Sequence, residues 1–508
     1  GLEVLEGQAV DGAGASFSIW ALALRRLAAT PGASPDDVEV LRSLADGRGG
    51  DLRIDAAFEA AGRVARALDR PMLWLLEDVQ WAHTPDLELL RWLAPIAREV
   101  PLAIVCTYRI DERPGLASEV PNDLALHLPR LSVEDVSAWL RWLLGSDGFE
   151  ADVPAAIHAQ TEGLPLFVVE LLRDLTDGTP AHGPLAVADV RRTRMTEGME
   201  RWIRGRFRHA SPEALEALRT AAIAGRAVDW TLLDDLHPDL DRIAWRRQCA
   251  EHRILASHEG AVRFAHDKFR EYILATTPDE RLRSGHAEIA AWLETHHGER
   301  PNVAPALAHH LGRAGDTVRW RHWSEKAGLL ELSRGGAREA YGHLQAAADG
   351  DGPSPVAPSL LRPDPAAVEA SPEVARHARL QTGLAQAAYQ LGDTSACVAH
   401  AERALVLVGQ APDPGGFARV VSLLGTATAL VRQLLSRTPE ADPHAGVRAT
   451  AAEAQELLTE MHFYGMDTLG VLWSVGRLTL WSRPGGPSVR LAEVYALLGI
   501  VAGLTPVG

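Results

Sequence analysis

Two adjacent carboxylates, Glu77 and Asp78, directly follow an unbroken apolar run at residues 72–76, within the stretch RPMLWLLEDVQWA. Acids so placed could serve a hydrated divalent cation and a phosphate. One carboxylate would sit on Mg²⁺ or its waters, and the other would orient a water. The run is too short for a buried helix and suits a strand buried on both faces. Open parallel sheets bind their ligands at the carboxyl ends of strands. The pattern is that of a Walker B segment; the plain alternative is a strand running into an acidic turn. A second apolar run, residues 102–107, ends in Thr107-Tyr108-Arg109. An arginine there can reach a terminal phosphate, although a solvated arginine is the commoner case.

These residues need a sheet to hold them. Residues 2–5 read as a short strand, followed by the glycine-rich loop 7–14. That loop lacks the Lys-Ser/Thr pair of a phosphate loop. Helical patterns follow at 18–29, 38–44, 54–68 and 86–99, and a third apolar strand is expected at 124–128. Ser132 N-caps a helix running to Leu144. Helices alternating with apolar strands predict a parallel α/β sheet.

From Val153 the strands stop. Helices are expected at 153–161 and 167–175, broken by Glu162-Gly163-Leu164-Pro165-Leu166, with a Gly/Pro-containing linker at 177–184. Residues 199–275 read as three helices and a β-hairpin, the order of a winged-helix module. Beyond 280 the pattern is helical, with a break at 349–372 carrying six prolines. Leu380, Leu384, Ala388-Tyr389, the Leu391-Gly392-Asp393 turn, Ala396, Ala401 and Ala404 resemble a tetratricopeptide unit. Residues 308–347 read as a more degenerate unit, and 451–465 and 491–504 as further helices. The predicted class is multidomain α/β plus α. Its parts are a partial P-loop-type parallel sheet (1–145), a helical lid and linker (146–198), a winged helix (199–280) and a tetratricopeptide-like α-superhelix (281–508).

The net charge of −16 over 508 residues argues against a general nucleic-acid surface. Arg201, Arg204, Arg206 and Arg208 form a small basic cluster, the one feature that favours a DNA-binding reading of the winged helix. Cys106, Cys249 and Cys397 are far apart and fit neither a disulfide framework nor a zinc site, so a reducing, cytoplasmic setting is expected. No apolar run reaches the roughly 18 residues that span a bilayer. The pairs His296-His297 and His309-His310 read as ordinary helix residues, since adjacent helical positions point about 100° apart.

The ordered set WLLEDVQWA, LAIVCTYR, HLPRLSVED, TEGLPLFVVELL and VRFAHDKFREYIL resembles STAND regulators. These are signal-transduction ATPases with numerous domains, within the AAA+ P-loop class. The likeness is to bacterial ATPase–tetratricopeptide modules fused to Ser/Thr kinases or to class III adenylate/guanylate cyclases. It implies ATP/ADP and Mg²⁺ as cofactors, a protein partner on the helical array, and a kinase or cyclase effector on the same full-length chain. It implies Glu77 as the metal-side acid, Asp78 as the water-orienting acid and Arg109 as the γ-phosphate sensor. Thr107 lies beside that sensor, Pro165 falls where the lid packs on adenine, and His266 matches a winged-helix histidine that touches phosphate. His83 departs from the acid usual at its position.

The family's P-loop lysine has no counterpart. The chain's two lysines, Lys268 and Lys326, follow Asp267 and Glu325, far downstream. The chain begins at Gly1 rather than Met, and the expectation is an N-terminally truncated chain without Walker A. In the family the missing first strand lies between 102–107 and 124–128, so both would lose a shared partner. ATP hydrolysis is therefore expected of the full-length protein and not of this fragment. The alternative function is a non-catalytic scaffold with a remnant NTPase domain.

Overall fold

The computed structural model describes residues 2–9, 15–46, 54–145, 148–177, 184–192, 211–252, 254–258, 261–265, 267–298, 300–348, 365–369, 371–410, 413, 415–435, 444–482 and 496. It is mostly helical, with one small parallel sheet and one hairpin. Two compact units divide the chain: residues 1–121 with 290–508, and residues 122–289.

The α/β layer of the first unit is built on three strands, β1 (Glu3–Gln8), β2 (Met72–Glu77) and β3 (Leu102–Cys106), in the order β1-β2-β3. Both pairings are parallel, with Gln8 opposite Glu77 and Leu76 opposite Cys106. Met72, Trp74 and Leu76 are buried, whereas Leu73 and Leu75 on the opposite face are only half-buried, so the strand expected to be covered on both faces is fully covered on one. Helices α1 (Ala21–Ala28), α2 (Pro35–Ala45), α3 (Ile54–Ala65) and α4 (Thr84–Ala97) complete the layer. In α3, Ala57, Ala60, Ala61 and Val64 recur at helical spacing and are all buried. Trp20 meets Trp74 edge-to-face at 6.0 Å, and Phe17 meets Phe58 at 6.2 Å. Gly7 lets β1 pass the 3₁₀ turn Ser18–Trp20, because a Cβ there would lie 1.8 Å from the Ile19 carbonyl oxygen.

The expected third strand at 124–128 does not form. These residues have no ladder partner, and Leu124, Leu126 and Leu128 are 73%, 75% and 87% exposed. Alternating leucines become a strand only beside another strand. Among the described residues no strand pairs with the outer edge of β3, where Val105 is exposed.

The second unit holds α5 (Val133–Leu144), α6 (Val153–Thr161), α7 (Pro165–Asp177) and α8 (Val187–Arg192) around Val136, Leu140, Ile157, Val168 and Leu171. It continues as α9 (Pro212–Ala224), α10 (Trp230–Leu236), α11 (Arg242–Glu251), the hairpin β4 (Leu255–His258) and β5 (Ala261–Phe264), and α12 (Asp267–Thr276). Ala227 bridges Arg263, adding a short third edge to the hairpin. Three helices thus precede the hairpin and one follows it. Its core joins Leu218, Trp245, Phe264 and Phe269. The basic cluster 201–208, most of the linker 177–184 and the wing tip lie outside the described residues.

Helix α13 (Asp279–His297) leads to the helical array: α14 (Ala304–Ala314), α15 (Thr317–Ser333), α16 (Ala337–Ala348), α17 (Pro372–Gln390), α18 (Thr394–Leu407), α19 (Gly416–Leu435), α20 (Ala445–Tyr464) and α21 (Thr468–Ser482). Sequential neighbours from α14 to α18 pack in pairs, as tetratricopeptide-like stacking requires. Two turns repeat one design. Gly315 (φ 82°) and Gly392 (φ 76°) end a helix in the left-handed region, and the next residue, Asp316 or Asp393, caps the following helix through its carboxylate. Most of the proline-rich break and the expected helix at 491–504 lie outside the described residues. No described helix is long and apolar enough to cross a membrane.

Burial separates Trp74 from Leu126. Trp74→Ala is expected to cost about 3–5 kcal/mol, whereas Leu126→Ala is expected to stay within about 0.5 kcal/mol. Urea denaturation of the two variants checks this; a large loss at Leu126 would restore the buried strand.

Candidate functional site

The parallel register brings the two apolar runs to one sheet end. β2 delivers Glu77 and Asp78 there, and β3 delivers Thr107 and Arg109 alongside. The ladder continues past the strands: the Thr107 amide donates to the Leu76 carbonyl at 2.9 Å, and the Val79 amide to the Thr107 carbonyl at 3.0 Å. The Asp78 amide reaches the Thr107 hydroxyl at 3.4 Å. On the other side the Ala9 amide donates to the Glu77 carbonyl at 3.0 Å.

Asp78 turns the chain. Its backbone is left-handed (φ 56°, ψ 39°), a conformation that aspartate tolerates better than bulkier residues but that still costs energy. The turn starts the 3₁₀ segment Val79–Trp81 and aims the carboxylate back across the strand end. There the Gln8 amide donates to Oδ2 at 2.7 Å, and the Gln80 amide approaches Oδ1 at 3.4 Å. Gln80 is buried, and its carbonyl accepts from the Arg109 amide at 3.1 Å. Two neutral glutamines thus tie β1, the acid turn and the β3 exit together. Neither stands out in sequence, because a lone glutamine signals nothing; the only clue is the position of Gln80 two residues after Asp78.

The Arg109 guanidinium pairs with Glu112 at 3.1 Å and lies 5.7 Å from the Trp81 ring centroid. The arginine is therefore held at the sheet end by a carboxylate and an aromatic face. Glu77 and Asp78 are half-buried and oxygen-bearing, and they adjoin solvent at the mouth of the sheet. That donor set suits a hydrated Mg²⁺ held through one or two carboxylates. The glycines of 10–14 lie outside the described residues.

Pro165 is exposed at the start of α7 in the second unit, behind Gly163 (φ 70°). His266 lies outside the described residues.

His83, which departs from the expected acid, is the N-cap of α4. The acid that serves this helix start is Asp86, three residues on. Its carboxylate accepts from the His83 amide at 3.0 Å and from the Phe17 amide at 2.9 Å. Burial pushes the Asp86 carboxyl up to about 7 from an ordinary 3.8, Glu331 adds to the rise, and His83 and the two amides oppose it. A carboxyl raised in the folded state binds protons that the unfolded chain releases. Its contribution to stability is therefore full below about 3.8 and lost as pH rises through about 7. Relative to Asp86→Asn, the wild type is expected to lose a few kcal/mol across that window, at about 1.4 kcal/mol for each tenfold difference in proton affinity between the folded and unfolded chain. Chemical denaturation of both proteins over that pH range checks the difference; a flat difference would contradict it.

No family model matches the chain, and no curated protein matches it. Among solved structures it is similar to the crystal structure of a Signal Transduction ATPase with Numerous Domains (STAND) protein with a tetratricopeptide repeat sensor from Pyrococcus horikoshii. The identity is 10% and the TM-score 0.41, over 99% of this chain and 77% of that one, a likeness too slight to carry a functional argument.

Proposed function

We propose that the chain is the regulatory module of a nucleotide-responsive signalling protein, with the Glu77–Asp78 sheet end as its Mg²⁺–phosphate site and the helical array as its partner-binding part. The observation that carries this reading is the convergence of Glu77, Asp78, Thr107 and Arg109 at the carboxyl ends of two adjacent parallel strands. That is where α/β sheets place phosphate chemistry.

In this reading Glu77 and Asp78 hold the metal or its waters. The metal, when bound, would neutralise charge on the phosphates. Gln8 and Gln80 fix the Asp78 carboxylate, so that it can orient a water without first reorganising. Arg109, parked against Trp81 and Glu112, supplies a positive charge within reach of a terminal phosphate. The described helix pairs supply the surface on which a protein partner is sensed. An effector such as a kinase or cyclase on the same full-length chain would carry the output. The competing reading is a non-catalytic protein-interaction scaffold with a remnant NTPase domain; a G-x-x-x-x-G-K-[ST] upstream in the full-length sequence would favour the switch.

Titration calorimetry with Mg-ATP separates the two, on the 508-residue chain and on a form carrying upstream native sequence. Micromolar binding is expected in the longer form and binding at least about tenfold weaker in this one. Asp78→Asn in the longer form is expected to remove the Mg²⁺-dependent part of the affinity. Absence of nucleotide binding from both would leave the scaffold.

A further inference from the structure

The helical array reaches the α/β layer through buried carboxylates. Glu331, at the end of α15, is fully buried. It accepts from the Ser16 amide at 3.3 Å and from the Ser16 hydroxyl, and the His83 ring Nδ1 lies 3.8 Å away. The Ser16 hydroxyl also meets His83 Nδ1 at 3.2 Å. Arg334, itself buried, places its guanidinium 3.9 Å from the same carboxylate. From α16, Glu339 accepts from the Thr84 amide at 3.2 Å, and so caps the first turn of α4 from outside the helix.

The turn between α15 and α16 is shaped for this approach. Gly335 has φ 71°, and a Cβ there would lie 2.6 Å from Ile54 Cδ1. A Cβ on Gly336 would lie 2.8 Å from the Glu331 carboxylate and 3.3 Å from the Ser16 hydroxyl. Glycines at both positions let the array's backbone close on α3 and on the Ser16 loop.

What the carboxylates grip is strained. Phe17, next to Ser16, is a buried phenylalanine with a left-handed backbone (φ 69°). Asp78, five residues before His83, is the second left-handed non-glycine residue described in the layer. Such conformations persist where the surroundings over-determine them, and they are poised to relax when that support goes. At Phe17 the support comes from two sides: Asp86 of α4 holds its amide, and Glu331 of the array holds the residue before it.

We propose that Glu331 and Glu339 form a latch by which the array holds residues 15–17, with their left-handed Phe17, and the α4 start at 82–86 in place, so that moving α15 and α16 releases both segments together. In the functional reading above, those segments flank the acid turn, and the latch makes the site's geometry conditional on the array. That last step rests on the nucleotide reading; the latch itself does not.

The test is hydrogen exchange on the full chain without nucleotide, in Glu331→Gln, Glu339→Gln and the double variant. The expected result is that exchange in peptides covering 15–22 and 82–90 rises together by about tenfold or more, while peptides of α9 and α18 stay unchanged. Glu339→Gln takes the charge from only the half-buried partner, Glu339→Ala takes away the acceptor itself, and these two decide the matter should Glu331→Gln loosen the whole protein. Unchanged exchange in both segments in Glu339→Gln, Glu339→Ala and the double variant overturns the latch, as does a rise confined to one segment. Mg-ATP titration of the same proteins reads the nucleotide site separately: a latch that opens in a protein without nucleotide affinity keeps this inference and rejects the other.

Discussion

Among the described strands, only β2 has a parallel partner on each side, and the candidate chemistry depends on that position. Pairing on both edges satisfies its backbone where Met72, Trp74 and Leu76 are buried. It also fixes register. With Gln8 opposite Glu77 and Leu76 opposite Cys106, the chains of β1 and β3 leave the sheet level with the acid pair. A slip of one residue would turn the tryptophan outward and carry Gln8 and Thr107 away from Asp78.

The sheet end uses this rigidity to hold a costly turn. A left-handed aspartate after a central strand needs fixed partners, and they come from three segments: Gln8 of β1, Gln80 within the turn, and Thr107 after β3. The same economy appears at α4. Its first turn is capped by Asp86 from within and by Glu339 from the array, while Asp86 also restrains Phe17. The left-handed Phe17 and the buried Asp86 are therefore linked, and neither belongs to one element alone. The burial that raises the Asp86 carboxyl follows from the same packing.

Much of this was legible in sequence where the signal is local. An apolar run ended by acids gave β2, and the helix at 153–161 was legible to the residue, because Glu162-Gly163-Leu164-Pro165 breaks the pattern directly after it. The Gly-Asp turns likewise announced the array. Residues 124–128 misled because a short apolar run reports no neighbour, and a strand requires a neighbour. Gln8 and Gln80 were silent because a neutral amide is informative only after folding has brought it to a carboxylate. Glu331 was beyond reach for another reason. It meets a serine 315 positions away, and no pattern within a helix encodes that contact.

The central claim is that Glu77 and Asp78 hold the metal of a metal–nucleotide complex. Electron paramagnetic resonance of Mn²⁺ with ATP, on the form carrying upstream sequence, tests it most directly. The account predicts a protein-bound Mn²⁺ signal in the wild type that disappears in the Glu77→Gln/Asp78→Asn double variant while the protein stays folded. An unchanged bound signal in that variant would contradict it.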